Sequence, residues 1–97
     1  MLVLFVKGYR ILGQRVKTPA GEIDVVACKG KTLVVMEVKK RGNDFAAASA
    51  IAPHQQSRLL GAANYILQQY QGFETLRFDA MLFAPNRLPR HIQNAFS

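Results

Sequence analysis

Gly21-Glu22-Ile23-Asp24-Val25-Val26-Ala27-Cys28-Lys29-Gly30-Lys31-Thr32-Leu33-Val34-Val35-Met36-Glu37-Val38-Lys39 is the stretch that decides the fold. Two runs rich in Val and Ile flank a Lys-Gly-Lys break, and such runs on either side of a turn signal read as paired strands. If Gly30 and Lys31 make a two-residue loop, with the glycine at the position needing positive φ, Cys28 or Lys29 pairs near Thr32. Continuing that register sets Asp24 opposite Glu37, with Cβ atoms about 4.5–5.5 Å apart on one face. Lys39 lies two residues beyond Glu37 and shares its face, because strand side chains alternate.

Two carboxylates so placed repel each other unless something cationic sits between them. A hard divalent ion such as Mg²⁺ is the natural candidate, since it takes oxygen ligands. A lysine beside it would orient a water or stabilise a developing phosphoryl anion. The competing reading is an exposed sheet face with ordinary solvated charges, and a one-residue change of loop length would shift the register. Val25, Val34, Val35, Met36 and Val38 make the strands apolar on nearly both faces, the pattern of a sheet covered on each side. A carboxylate pair in such a place needs compensation, which favours a functional site.

Working outward, residues 9–16 read as a preceding strand, closed by the turn signal Thr18-Pro19-Ala20-Gly21. Arg41-Gly42-Asn43-Asp44 breaks the strand pattern and is placed to cap a helical turn over 45–50. Pro53 suits the first turn of a longer helix, in which Gln55, Leu59, Ala62, Ala63, Ile66, Leu67 and Tyr70 recur at three- and four-residue steps, with Gly72 as its stop. Residues 76–83 read as a fourth strand. Beyond it Pro85, Asn86 and Pro89 predict irregular chain, and 91–96 a short terminal helix. Strand, crossover helix, strand makes the last two strands parallel. The expected fold is α/β: a mixed four-stranded sheet with a three-strand antiparallel meander, a crossover helix and a fourth strand, forming a single domain over 1–97.

The composition narrows the partners. With 97 residues and about half of them hydrophobic, the chain is long enough for one modest core. Its net charge is +7 and its pI 10.1, which favours a polyanionic partner through phosphate contacts. The cations are dispersed, with Lys39-Lys40-Arg41 the one short run, so they belong to a folded surface rather than a basic tail. The single cysteine, Cys28, excludes an internal disulfide and fits a cytoplasmic protein; it reads as a small packing residue. His54 and His91 are too far from it to suggest a zinc set. The apolar run 1–6 is too short to span a bilayer, which needs about 20 residues, so no membrane role is expected. Asp79, in an otherwise apolar strand, reads either as a strand-end charge paired with a lysine or arginine or as a residue that supports the acidic site from behind, with the structural role favoured.

The segments Gly21-Glu22-Ile23-Asp24, Glu37-Val38-Lys39 and Arg77-Phe78-Asp79, at these separations, carry a family resemblance. The chain resembles the YraN-like proteins of bacteria, a branch of the PD-(D/E)xK endonuclease superfamily related in fold to archaeal Holliday junction resolvases. The likeness runs from about residue 8 to 96 and includes Ala52-Pro53-His54-Gln55-Gln56-Ser57-Arg58, which looks like the family segment opening the long helix. The resemblance implies a restriction-endonuclease-like fold. It also implies Asp24 and Glu37 as metal ligands, with the carbonyl of Val38, and Lys39 as the catalytic lysine. Gln55 at the helix start would face the site, as a Gln or Lys does in related enzymes. Members of that family usually carry a helix before the first strand, with a glutamate that joins the acidic site. Here residues 1–7 precede Gly8 and no acid occurs before Glu22, so that helix and ligand are expected to be missing.

Three readings follow. The first is a nuclease using Mg²⁺ or Mn²⁺, with Asp24, Glu37, Lys39 and Gln55 at the reaction centre and Lys40, Arg41 and Arg58 on DNA phosphates. The second is a DNA-binding module of the same fold with a degenerate site. The third is a small interaction protein whose 1–6 run packs against a second copy; the resolvase resemblance also suggests a homodimer.

Overall fold

Gly30 adopts φ +60° between Lys29 and Thr32, and those two residues pair across the turn. The loop is therefore two residues long with its glycine first, and it locks β2 (Gly21–Lys29) antiparallel to β3 (Thr32–Lys40) from Lys29↔Thr32 to Val25↔Met36. The structure, a computed structural model, describes residues 7–40, 53–83, 86 and 88–95, without the side chains of 40 and 53–56. The helical turn expected over 45–50 and the apolar run 1–6 lie outside the described residues.

β1 (Arg10–Thr18) pairs antiparallel with β2, with a register shift between Ile11 and Gly13. Thr18 closes their turn: its hydroxyl donates to the Gly21 carbonyl at 2.6 Å and accepts the Ala20 N–H at 3.1 Å. The helix α1 (Pro53–Gln69) leads into β4 (Thr75–Phe83), which runs parallel to β3 from Thr32↔Thr75 to Lys40↔Phe83. The crossover expected from the order of elements is present.

Among the described residues the sheet has five strands, where four were expected, in the order β1-β2-β3-β4-β5, so β3 is central. The added strand β5 (Arg90–Ile92) lies antiparallel on β4, where a terminal helix over 91–96 was expected. The open edge of β4 decides this: its unpaired main-chain groups need partners, and three ladder pairs plus the Ala95 N–H on the Phe78 carbonyl (2.8 Å) supply them.

Two cores sandwich the sheet. On one face Leu59, Ala62 and Ile66 of α1 pack on Ile23, Val26, Leu33 and Val35. On the other, Tyr9, Val25, Ala27, Val34, Met36 and Met81 form a smaller cluster. Leu67, expected on the packed face of the helix, is 42% exposed, because it sits about 100° round from Ile66 and points away from the sheet. Cys28 is buried and free.

Among the described residues the buried charged side chains are Glu37 and Asp79. Asp79 lies on the face away from α1, two residues from Met81 on β4. Its Oδ1 accepts from Arg77 Nε at 2.9 Å and the Asn94 N–H at 3.1 Å; its Oδ2 accepts from Arg77 Nη2 at 2.8 Å and His91 Nε2 at 2.6 Å. Burial pushes the Asp79 carboxyl up, but the bonds from His91, Arg77 and Asn94 outweigh it and hold the group below its ordinary value. Arg77 also donates to the Tyr9 hydroxyl, and the His91 ring meets Tyr9 edge-on at 5.4 Å. Lys7 Nζ lies 2.9 Å from His91 Nδ1, on the side of the ring away from the Asp79 contact at Nε2. This cluster ties residues 7–9 and 91–94 to β4, a structural role for the Arg77-Phe78-Asp79 segment.

Candidate active site

Asp24 stands where β2 leaves the β3 ladder, one step past the Val25↔Met36 pair and level with Glu37. Ile23 and Val26 both pack into the helix-side core although strict alternation would separate them, so the alternation slips at Asp24. The Val38 N–H donates there to Asp24 Oδ2, at 2.8 Å. Sequence pattern placed the two carboxylates together, and in the structure Asp24 lies one step past the last β2–β3 pair, close enough to Glu37 to push its carboxyl up.

Glu37 is 5% exposed and follows Leu33 and Val35 on the helix-side face of the central strand. Its carboxylate pairs with Arg58 Nη2, and Arg58 Nη1 donates to the Glu22 carbonyl at 2.7 Å. The Arg58 stem lies over Gly21: a Cβ built there would be 3.2 Å from Arg58 Cδ, and Gly21 has φ +127°, a conformation reserved for glycine. Burial pushes the Glu37 carboxyl up, and the neighbouring Asp24 adds to this, while Arg58 pulls the other way; the net result is upward.

Lys39 is half-buried and follows Glu37 on the same face of β3. Lys40 ends β3 opposite Phe83; its side chain, like all of Arg41, lies outside the described residues. Gln55 is in the first turn of α1, and its side chain is likewise outside them. Arg58 was expected on DNA phosphates; in the structure it is engaged with Glu37 and the Glu22 carbonyl. Periodicity could not reveal that pairing. The available signal was the like-charge pair itself, which demands a cation.

The donor set suits a hard divalent ion: two carboxylates on adjacent strands, oxygen atoms alone, and a buried glutamate whose ionised form lacks full compensation. Among the described residues no group of three or more His, Cys, Asp or Glu side chains gathers, so main-chain carbonyls and water would complete such a shell. Among the same residues no helix is long and apolar enough to cross a membrane.

Residues 2–83 match the model described as "Uncharacterised protein family UPF0102". A UPF0102 protein of Parvibaculum lavamentivorans is 50% identical over 98 residues, covering 99% of this chain and 74% of the relative. A UPF0102 protein of Nitrobacter winogradskyi is 50% identical over 95 residues, covering 96% of this chain and 80% of the relative. Among solved structures, Archaeoglobus fulgidus Hjc, a Holliday junction resolvase from an archaeal hyperthermophile, superposes with a TM-score of 0.59 at 20% identity, over 95% of this chain and 70% of that one. At that identity the likeness is one of fold. The chain thus has the restriction-endonuclease-like fold of its resolvase neighbour and belongs to the YraN family, UPF0102.

Proposed function

We propose that the Asp24–Glu37 pair is the acidic centre of a metal-dependent DNA endonuclease that hydrolyses phosphodiester bonds, with branched or damaged DNA as the substrate class. The observation that carries this reading is the meeting of two carboxyls on adjacent strands, one of them buried on the central strand, in a chain of net charge +7. The fold shared with a Holliday junction resolvase supports it.

Asp24, Glu37 and the Val38 carbonyl would hold Mg²⁺ or Mn²⁺. Such an ion, when bound, acidifies a coordinated water and stabilises charge on the phosphoryl oxygens. Lys39, on the same face as Glu37, positions the attacking water or neutralises the developing anion. Gln55 at the start of α1 orients Lys39 or that water. Lys40, Arg41 and Arg58 take phosphate contacts, which position DNA without reading its sequence. A homodimer in the cytoplasm completes the proposal, and sedimentation tests the dimer.

The test is Mn²⁺-dependent cleavage of single-stranded, duplex, flap and four-way-junction DNA by the wild type and by Glu37→Ala. The expected result is cleavage of at least one substrate by the wild type, lost in the variant while DNA affinity stays. Equal cleavage by both proteins overturns the assignment of Glu37.

One observation favours a second reading, a DNA-binding module of the same fold without catalysis: Arg58 already neutralises Glu37, so the acidic pair is partly compensated by protein alone. That reading expects salt-sensitive DNA binding by the wild type and no cleavage of any substrate.

A further inference from the structure

The Arg58–Glu37 pair is built as a deliberate contact rather than a surface accident. The arginine comes from the second turn of α1 and reaches over β2 to the central strand. Its path is kept clear by Gly21, whose missing Cβ leaves room for Arg58 Cδ. Its guanidinium is fixed at two points, the Glu22 carbonyl and the Glu37 carboxylate. The two ends of the pair differ in access: the Glu37 side chain is 7% exposed and that of Arg58 is 28% exposed. An anion arriving from solvent therefore meets the guanidinium before it meets the carboxylate.

We infer that Arg58 is the resident counter-cation of the acidic pair, one that a divalent ion displaces from Glu37 and that a substrate phosphate draws away, so that metal and DNA assist each other's binding. The inference rests on the nuclease reading for the identity of the metal and the substrate, and goes beyond it in making Arg58 a positioning residue that couples the two. The physics is competition for one carboxylate. While Glu37 is bound by the guanidinium, part of its charge is unavailable to a metal, and a metal brought beside Arg58 meets a like charge. A phosphate offers the guanidinium an alternative planar, bidentate partner. By linkage, whatever removes Arg58 from Glu37 strengthens metal binding, and metal bound at Glu37 strengthens the hold of Arg58 on phosphate by the same factor.

The experiment is a Mn²⁺ titration, read by the electron paramagnetic resonance of the free ion, with no cleavage required. It compares the wild type, Arg58→Gln, Arg58→Met, Glu37→Gln and Lys31→Gln. Arg58→Met keeps an unbranched stem over Gly21 and serves if the polar variant does not fold. Lys31→Gln removes an exposed charge from the β2–β3 turn as a control for net charge. Both Arg58 variants are expected to bind Mn²⁺ about tenfold more tightly than the wild type, the size of one charge-assisted hydrogen bond. Lys31→Gln should change affinity less than about twofold, since an exposed distant charge is screened. Adding a short DNA duplex should tighten Mn²⁺ binding by the wild type and do so less in the Arg58 variants. Unchanged or weaker binding by both Arg58 variants, or an equal gain in Lys31→Gln, overturns the inference while leaving the metal site standing, provided Glu37→Gln abolishes binding. Absence of any Glu37-dependent Mn²⁺ binding in wild type and Arg58 variants overturns both readings together.

Discussion

Asp24 holds the main-chain N–H of Val38 at 2.8 Å, one residue beyond the glutamate it faces. The carboxylate therefore has two duties: it closes the strand pairing where β2 leaves β3, and it adds negative charge beside Glu37. Substitution separates them. Asp24→Asn can still present an oxygen to Val38, so its urea midpoint should stay close to that of the wild type, while the Mn²⁺-dependent cleavage expected of the proposed nuclease should be lost. Asp24→Ala leaves a part-buried N–H without its acceptor and should cost about 1–3 kcal/mol. Equal stability losses in the two variants would show that the charge, not the hydrogen bond, matters to the fold.

The pH dependence of Glu37 follows from the direction of its shift. Its folded value lies above the ordinary 4.5, so between the two the folded protein binds more protons than the unfolded chain, and stability falls as pH rises. The loss is complete once the pH exceeds the folded value. Urea denaturation of the metal-free wild type should show this downward slope above pH 4.5, and Glu37→Gln, which has no proton to lose there, should lack it. At the proposed metal site, Mn²⁺ binding should run the opposite way, tightening with pH as the carboxylate ionises. Parallel slopes in wild type and Glu37→Gln would assign the pH effect to another group.

Asp79 has the reverse sign. Its folded value lies below the ordinary 3.8, so its contribution is fully present above that pH and is lost as the pH falls through the folded value. Asp79→Ala strands Arg77, His91 and the Asn94 N–H around an empty position and should cost about 3–5 kcal/mol, a large part of the stability of a small domain. Asp79→Asn keeps an acceptor and should cost less, with the gap to wild type closing only in acid below pH 3.8. Thermal melts across the acid range measure both effects. Because Asp79 lies on the face away from α1, the DNA binding expected of the proposed function should survive the Asn change at neutral pH and low temperature.

The β2–β3 register was legible because Gly30 leaves few choices: a two-residue loop with glycine first fixes Lys29 against Thr32, and the Asp24–Glu37 meeting follows by counting. The long helix was legible from Leu59, Ala62, Ala63 and Ile66, but Leu67 was not separable from them without knowing which side meets the sheet. β5 was hidden because three residues, Arg90–Ile92, carry no period, and their strand state comes from the bare edge of β4. The Tyr9, Arg77 and His91 cluster was hidden because its members are remote in sequence. Only Asp79, a charge in an apolar run, announced that partners were needed.

Gly21 is the position at which backbone and site are most closely joined. Its φ of +127° excludes an L side chain at ordinary cost, and a Cβ would press on Arg58 Cδ at 3.2 Å. Gly21→Ala should therefore lower stability by about 1–3 kcal/mol through backbone strain alone. It should also push the arginine stem off β2, loosening the bond from Nη1 to the Glu22 carbonyl and the pair with Glu37. If Arg58 holds Glu37 against metal, the alanine variant binds Mn²⁺ more tightly than wild type despite being less stable, in the same direction as Arg58→Gln. The double variant Gly21→Ala with Arg58→Gln separates the effects: the stability loss persists, and the gain in Mn²⁺ affinity is no larger than in Arg58→Gln alone. Additive gains in affinity would mean that Gly21 acts on the acidic pair by a route other than Arg58.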